Sequence, residues 1–234
     1  LIIQVQYHTN LIGGNGVEKF LTGKVALITG AFQNLGAVIA STLAEYGADV
    51  ILNDLGYPEN LKIGQSLVET IRSKGTKAEM IAADVSQASE VSRLCKEALH
   101  LWGHIDILVN GAGPFSLTPF TRLEEKEWDR VLDVNLKAVY LTTKELFPSM
   151  KKQGWGRVIN ICAGSAFVKN HGVYGLAKAG VQFLTESLAL EVGPEVTVNA
   201  VAPGQIYESL PVVETHDPTF GERYTARAPM KRLV

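Results

Sequence analysis

Lys24-Val25-Ala26-Leu27-Ile28-Thr29-Gly30-Ala31-Phe32-Gln33-Asn34-Leu35-Gly36 is a short apolar run that breaks on a glycine turn and gives way to a helical pattern. A run of this kind suits a parallel strand covered on both faces. A glycine-rich turn between strand and helix lets backbone N–H groups and the helix N-terminus meet a pyrophosphate. Two glycines alone are weak evidence, because glycine also ends strands for local reasons. The second strand strengthens it: Val50-Ile51-Leu52 runs into Asn53-Asp54, eighteen residues after Gly36, where an acid can bond an adenosine ribose.

Outward from these two strands the same alternation continues. Ala78–Ala82, Ile105–Val109, Val158–Ile161 and Val196–Val198 are further short strand runs. Between them, Val91, Leu94, Cys95, Ala98, Leu99 and Trp102 form one apolar helical stripe. Trp128, Val131, Leu132, Asn135, Leu136 and Val139 form a second with one polar intruder, and Ala177, Val181, Leu184 and Leu188 a third. Strand–helix alternation of this kind predicts an α/β fold, a doubly wound parallel sheet with right-handed crossovers. At 234 residues and 46% hydrophobic the chain is one domain, residues 21–234, preceded by a 1–20 appendage with a short alternating run at Ile3–Tyr7.

The formal charge of −2 gives no footprint for nucleic acid or an anionic membrane, and no apolar run approaches the ~20 residues that span a bilayer. The two cysteines, Cys95 and Cys162, sit inside regular elements in no metal-ligand spacing. They read as small buried hydrophobes, which suits a reducing cytoplasm, and the N-terminus does not read as a signal peptide.

Tyr174 and Lys178 are four residues apart at the head of the third stripe, so they share a helical face. A cation at ~4 Å, at an effective dielectric of ~20, contributes about 4 kcal/mol, enough to lower a phenol by roughly 3 pKa units. The expectation is a tyrosine usable as an acid/base near neutral pH.

Over Lys24 to Val234 the chain resembles the short-chain dehydrogenase/reductase family, whose fold is the Rossmann type. The resemblance rests on six motifs in order: the turn Thr29 to Gly36, Asp84-Val85, Asn110-Gly111-Ala112-Gly113, Asn135, Tyr174 with Lys178, and Pro203-Gly204-Gln205-Ile206. It implies a nicotinamide dinucleotide held by Gly30, Gln33, Asn34, Leu35, Gly36, Asp54, Leu55, Asp84, Val85, Asn110, Ala112, Gly113, Tyr174, Lys178, Pro203, Gly204 and Ile206. It also implies catalysis by Tyr174 and Lys178 with a serine, and a water relay through Asn135. Asp54 repels a 2′-phosphate, and neither Gln33 nor the stretch from Leu55 to Glu59 supplies a cation, so NAD(H) is expected over NADP(H).

Three departures from the family pattern stand out. Asn34 replaces the middle glycine of the turn, at a cost of roughly 1–2 kcal/mol if the backbone is left-handed. Ala163 occupies the usual serine position; either Ser165 supplies the hydroxyl or the donor is missing, with His171 a possible substitute. The family's last helix and strand have no counterpart before Val234, and Glu208 stands where the family has a threonine near the nicotinamide. The expected activity is oxidation of a small-molecule alcohol to a carbonyl, or its reverse, by a homodimer or homotetramer. The alternatives are a catalytically silent NAD-binding protein and an NADP-dependent 3-oxoacyl or carbonyl reductase. A pocket formed by the Ser165–Gly172 loop, Pro114–Pro119 and Gln205–Tyr224 does not select a substrate.

Overall fold

The computed structural model describes residues 18–168, 172–206, 210–215, 218–228 and 230–232. Its centre is a six-stranded, wholly parallel sheet in the order β3-β2-β1-β4-β5-β6. The strands are β1 (Val25–Thr29), β2 (Asp49–Asp54), β3 (Ala78–Ala82), β4 (Ile107–Asn110), β5 (Gly156–Ile161) and β6 (Val196–Val201). The connecting helices are α1 (Asn34–Glu45), α2 (Pro58–Ser73), α3 (Ala88–Trp102), α4 (Glu125–Leu132), α5 (Ala138–Gln153), the short α6 (Ser165–Val168) and α7 (Gly172–Val192). Two short helices, α8 (Leu210–Glu214) and α9 (Phe220–Arg227), follow β6. The predicted doubly wound sheet is therefore present, and the run at Ile3–Tyr7 lies outside the described residues.

Alternation along each strand builds two cores. Val25 and Leu27 of β1, Ile51 and Leu108 point to one face, where Leu94, Cys95 and Ala98 of α3 and Leu146 and Met150 of α5 cover them. Ala26 and Ile28, Val50 and Leu52, Ile107 and Val109 point to the other, under Ala40 and Ala44 of α1 and Val68 and Ile71 of α2. Full burial of a Leu or Ile side chain contributes about 1.5–3 kcal/mol, so these two layers fix the register. β4 starts two residues later than the sequence predicts, because Asp106 serves a different end. Its buried carboxylate accepts from the Val25 N–H at 2.9 Å, from Lys24 Nζ at 3.0 Å and from His104 Nε2 at 3.2 Å.

The second apolar stripe is not one regular helix. Between α4 and α5 a π-helical segment, Asp133–Lys137, carries Asn135 fully buried. A π turn adds a residue to the helical circuit, and such insertions frequently mark functional sites.

Candidate active site

The strand order reverses between β1 and β4, so their carboxyl ends flank a crevice of the kind that takes ligands in open α/β sheets. Gly30, at φ +67°, closes β1, and a Cβ there would sit 2.8 Å from the Ala112 backbone. The Thr29 hydroxyl accepts from the Gly111 and Ala112 N–H groups at 3.1 and 3.2 Å, tying the β4 loop to the first turn. Gln33 and Asn34 are exposed at the head of α1, whose first turn holds no acidic residue and no side-chain cap. That leaves N–H donors and the positive helix end open to an anion. Asn34 stands at φ +51°, the left-handed backbone expected at this position. Leu35 is half-buried and Gly36 buried.

At the end of β2, Asp54 accepts from its neighbour Leu55 N–H at 2.8 Å and from Phe32 N–H at 3.4 Å. Phe32 is itself buried against Gly64 of α2, where a Cβ would come 2.9 Å from the ring. Asp84 accepts the Ser86 N–H at 2.9 Å in a tight turn, and Val85 is buried beside it. Asn110 departs from a simple ligand role. Its amide donates to Asn160 Oδ1 at 2.9 Å and accepts from Thr142 Oγ1 at 2.8 Å, while Asn160 donates to Thr185 Oγ1 at 2.9 Å. This buried chain joins β4, β5, α5 and α7, so the Asn110 side chain braces the loop from behind.

The first turns of α7 carry Tyr174 and Lys178. Lys178 is 3% exposed; its ammonium donates to the Ile161 carbonyl at 2.7 Å and lies 5.7 Å from the centre of the Tyr174 ring. A Cβ on Gly113 would come 3.3 Å from that ammonium and would run into Asn135 Oδ1, so only glycine fits between them. Asn135 donates to the Val131 and Pro114 carbonyls, each at 3.0 Å. Its Oδ1 is buried without a hydrogen-bond partner among the described residues. Tyr174, Lys178, Asn135 and Gly113 thus converge; helical spacing accounts for Tyr174 with Lys178 alone, and the other two are brought in from separate elements.

The electrostatics differ from the expectation. Burial pushes the Tyr174 phenol up to about 12, with the adjacent Cys162 thiol adding to the rise. Burial likewise lowers Lys178 to about 8, against a smaller upward pull from Cys162. Desolvation is the largest cause for both groups, and Lys178 is not among the causes acting on the phenol. Cys162 is closer to the chemistry than a core hydrophobe: its thiol donates to the Lys178 backbone carbonyl at 3.1 Å, and burial raises it as well.

Ser165 opens α6, 7% exposed, and its hydroxyl has no partner among the described residues. The β5–α6 turn is held to the loop after β6 by the Gly164 N–H donating to the Pro203 carbonyl at 3.3 Å. Pro203 and Ile206 are half-buried and Gly204 is exposed; the Gln205 N–H donates to the Tyr224 hydroxyl of α9 at 3.1 Å. His171, Tyr207 and Glu208 lie outside the described residues. The roles of three residues escape a reading of motifs, although Thr29 opens the glycine turn and Phe115 falls within Pro114–Pro119. Thr29 works through its hydroxyl, Phe115 lays its ring against Tyr174, and Glu127 holds the Phe115 loop. Loop residues have no periodicity to betray them, although a buried polar side chain ending a strand, as at Thr29, is a usable signal.

Glycines that admit no Cβ at a switch-point crevice, a helix head free of acids and two orphaned polar atoms beside a Tyr/Lys pair fit a nicotinamide dinucleotide. Together they define an NAD(P)-dependent oxidoreductase acting on hydroxyl or carbonyl groups. The chain belongs to the short chain dehydrogenase family, whose model matches residues 24–214. It is 37% identical over 192 residues to the hydroxynaphthalene reductase-like protein Arp2 of Metarhizium robertsii, covering 80% of this chain and 70% of that protein. Identity to the 3-oxoacyl-[acyl-carrier-protein] reductase FabG of Staphylococcus aureus is 40% over 190 residues, 80% of this chain and 76% of that one. The fold matches a blue fluorescent protein from a metagenomic library, solved in complex with NADPH. The TM-score is 0.80 at 27% identity, over 91% of this chain and 85% of that one. Among the described residues no helix is long and apolar enough to cross a membrane, and no cluster of three metal-ligating side chains occurs.

Proposed function

We propose that this chain is an NAD(H)-dependent oxidoreductase that interconverts a secondary alcohol and a ketone, with Tyr174 as the acid/base. The observation that carries the reading is the convergence of Tyr174, Lys178 and the orphaned Asn135 Oδ1 around Gly113. A phenol at about 12 keeps its proton at neutral pH, so Tyr174 is poised as a donor to a carbonyl oxygen. Lys178, at about 8, is the neighbouring group able to exchange a proton in the working range, and Asn135 Oδ1 offers it a buried acceptor. The orphaned Ser165 hydroxyl is assigned to orient the substrate oxygen, in place of the side chain missing at Ala163.

The bound nicotinamide supplies or accepts the hydride. Gly30, Gln33, Asn34, Leu35 and Gly36 are assigned to its pyrophosphate, Asp54 and Leu55 to the adenosine ribose, and Asp84 and Val85 to the adenine. Asn110, Ala112, Gly113, Pro203, Gly204 and Ile206 line the remainder. Asp54 and the uncharged Gln33 favour NAD(H). The NADPH bound to the blue fluorescent protein relative favours a second reading, an NADP(H)-dependent carbonyl reductase. A homodimer or homotetramer is assigned on Leu176, Phe183 and Leu190, which recur every seven residues on α7 and are exposed.

The test is turnover of a panel of alcohols and ketones with NAD(H) and NADP(H), alongside Tyr174→Phe and Ser165→Ala. Turnover that survives Tyr174→Phe sinks the mechanism, and an unimpaired Ser165→Ala removes the serine assignment. Tight NADH binding with no turnover across the panel supports the silent binding protein instead.

A further inference from the structure

The turn that closes β1 sends one large side chain inward. Ala31 is fully buried and Phe32 is 2% exposed, while Gln33 and Asn34, which follow at once, are exposed. Phe32 belongs to the core beneath α1 and α2. Its ring is packed away from solvent, so any effect it has on a ligand passes through the backbone.

The ring sits where α2 has no side chain. A Cβ on Gly64 would come 2.9 Å from three of its atoms, Cδ1, Cδ2 and Cε1. Equal distances to both sides of the ring put that Cβ over its face, so the ring itself would have to move. Glycine inside a helix lowers its stability relative to alanine. Gly64 nevertheless lies in the body of α2, and the ring it admits accounts for it.

The backbone of the same turn reaches the end of β2. The Ala31 N–H donates to the Asn53 carbonyl at 2.9 Å, and the Phe32 N–H donates to Asp54 Oδ2 at 3.4 Å. Asp54 Oδ1 accepts the Leu55 N–H at 2.8 Å. The Asn53 amide donates to the Ile81 and Ala83 carbonyls at 3.0 and 3.2 Å, which ties the end of β2 to β3 and the loop after it. The turn therefore has two supports, β2 through its backbone and α2 through the Phe32 ring. At 3.4 Å the bond to Oδ2 is at the limit of hydrogen-bond reach. A ring displaced by the few tenths of an ångström that a Cβ demands carries the N–H out of range.

We propose that Phe32, seated in the gap at Gly64, is a positioning residue for the adenosine half of the dinucleotide. It holds the phosphate turn and the Asp54 carboxylate in one fixed relation. That relation sets how tightly the nucleotide binds and how strongly a 2′-hydroxyl is preferred over a 2′-phosphate. The preference rests on the NAD(H) reading above; the affinity rests only on the chain's binding a nicotinamide dinucleotide. A ring that served the core alone would change stability and leave both quantities where they are.

The test measures binding of ADP-ribose and 2′-phospho-ADP-ribose, which carry the adenosine half without the nicotinamide, by calorimetry on the full chain. The variants are Gly64→Ala, Phe32→Leu and the two combined. Ile71→Val, two turns further along α2 in the same core, gives the baseline for a purely structural loss. None of these alters charge, so a change in the ratio of the two affinities reports the placement of Asp54. Gly64→Ala and Phe32→Leu should each weaken ADP-ribose about 3- to 10-fold, the worth of one hydrogen bond, and narrow its advantage over the 2′-phosphate. The combined variant, in which the new Cβ fills part of the space the ring vacates, should lose less than the two single losses multiplied. Ile71→Val should lower the urea midpoint and leave both affinities unchanged. Wild-type affinities in folded Gly64→Ala overturn the proposal. So does a loss no greater than that of Ile71→Val, or one that falls equally on both nucleotides. Should Gly64→Ala fail to fold, Phe32→Leu decides by the same criteria. A wild type that favours 2′-phospho-ADP-ribose overturns the NAD(H) reading alone, and affinity for that nucleotide then decides the proposal. Binding of neither nucleotide overturns both.

Discussion

Replacing Lys178 by methionine should make the protein less sensitive to pH in a defined window. The lysine is 3% exposed, and burial lowers it from the ordinary 10.5 to about 8. Below about pH 8 it is protonated in both folded and unfolded chains, and folding bears the full cost of burying the charge. Between about 8 and 10.5 the folded protein has released a proton that the unfolded chain still holds, so stability rises with pH. The whole difference corresponds to about 3 kcal/mol, of which ~2 kcal/mol is gained between about pH 7 and pH 9.5. Lys178→Met has no such gain. At neutral pH the variant escapes the burial cost but leaves the Ile161 carbonyl without its donor at 2.7 Å, a loss of about 1–3 kcal/mol. The two effects nearly offset there, so the pH dependence carries the test.

Urea unfolding followed by tryptophan emission, at both pH values and on both proteins, measures it. Other groups titrate in this range: burial raises Cys95 to about 12 and also raises Cys162, so both thiols lose stability as pH climbs through the ordinary thiol range. Cys95 does so alike in both proteins and drops out of the difference. Lys178 holds Cys162 down, so Lys178→Met lets that thiol rise further and widens the wild-type minus variant difference in the same direction. Tyr174, at about 12 against an ordinary 10.0, withdraws stability only above about pH 10, beyond the window. Parallel stability profiles for wild type and Lys178→Met between about pH 7 and pH 9.5 would refute the claim that the lysine is held against its own charge.

Asn34 stands at φ +51°, so Asn34→Val should destabilise by about 1–2 kcal/mol while Asn34→Gly stays within about 0.5 kcal/mol. Equal denaturation midpoints for all three would dismiss the left-handed backbone. Asp106→Ala removes the acceptor for Val25 N–H, Lys24 and His104 and should cost about 2–4 kcal/mol. It should also shift Trp155 emission, because Lys24 Nζ, 3.9 Å from the Trp155 ring centre, loses its anchor; unchanged emission counts against that link. Asp54→Ala should move the NADP/NAD ratio of kcat/KM toward NADP by about 10–100-fold, from a ~3 kcal/mol repulsion at ~5 Å and an effective dielectric of ~20, reduced by solvent. An unchanged ratio breaks the argument for NAD.

Period and turn chemistry carry most of the fold. The central strands β1, β2 and β4 are the most legible, because each is covered on both faces, as at Leu27 and Ile28 of β1, whereas the edge strands β3 and β6 are only partly covered. What the pattern misses is long-range. Asp106 reads as a strand residue until Val25 and Lys24 are known to lie against it. The stripe from Trp128 to Val139 hides its π segment, since one inserted residue alters phase without altering composition. The phenol is the sharpest case. Spacing of four residues places Lys178 by Tyr174, yet says nothing of how dry the site is, and dryness decides the direction of both shifts.

The two ends of the sheet treat polar groups in opposite ways. At the amino end, Asp106 has three donors, and Trp155 lies between Lys24 at 3.9 Å and Arg157 at 4.3 Å. At the carboxyl end the fold holds a buried ammonium, a phenol raised to about 12, a left-handed asparagine and two orphaned polar atoms, Asn135 Oδ1 and Ser165 Oγ. One other buried polar atom among the described residues lacks a partner, Trp102 Nε1, and it lies at the end of α3 away from this crevice. An unpaired buried polar group costs about 1–3 kcal/mol, so a fold selected for stability alone would not gather them in one place. Their concentration at the carboxyl end of the sheet is what a site completed by ligands requires: the acceptors and donors are set in advance, and binding supplies the partners the chain withholds.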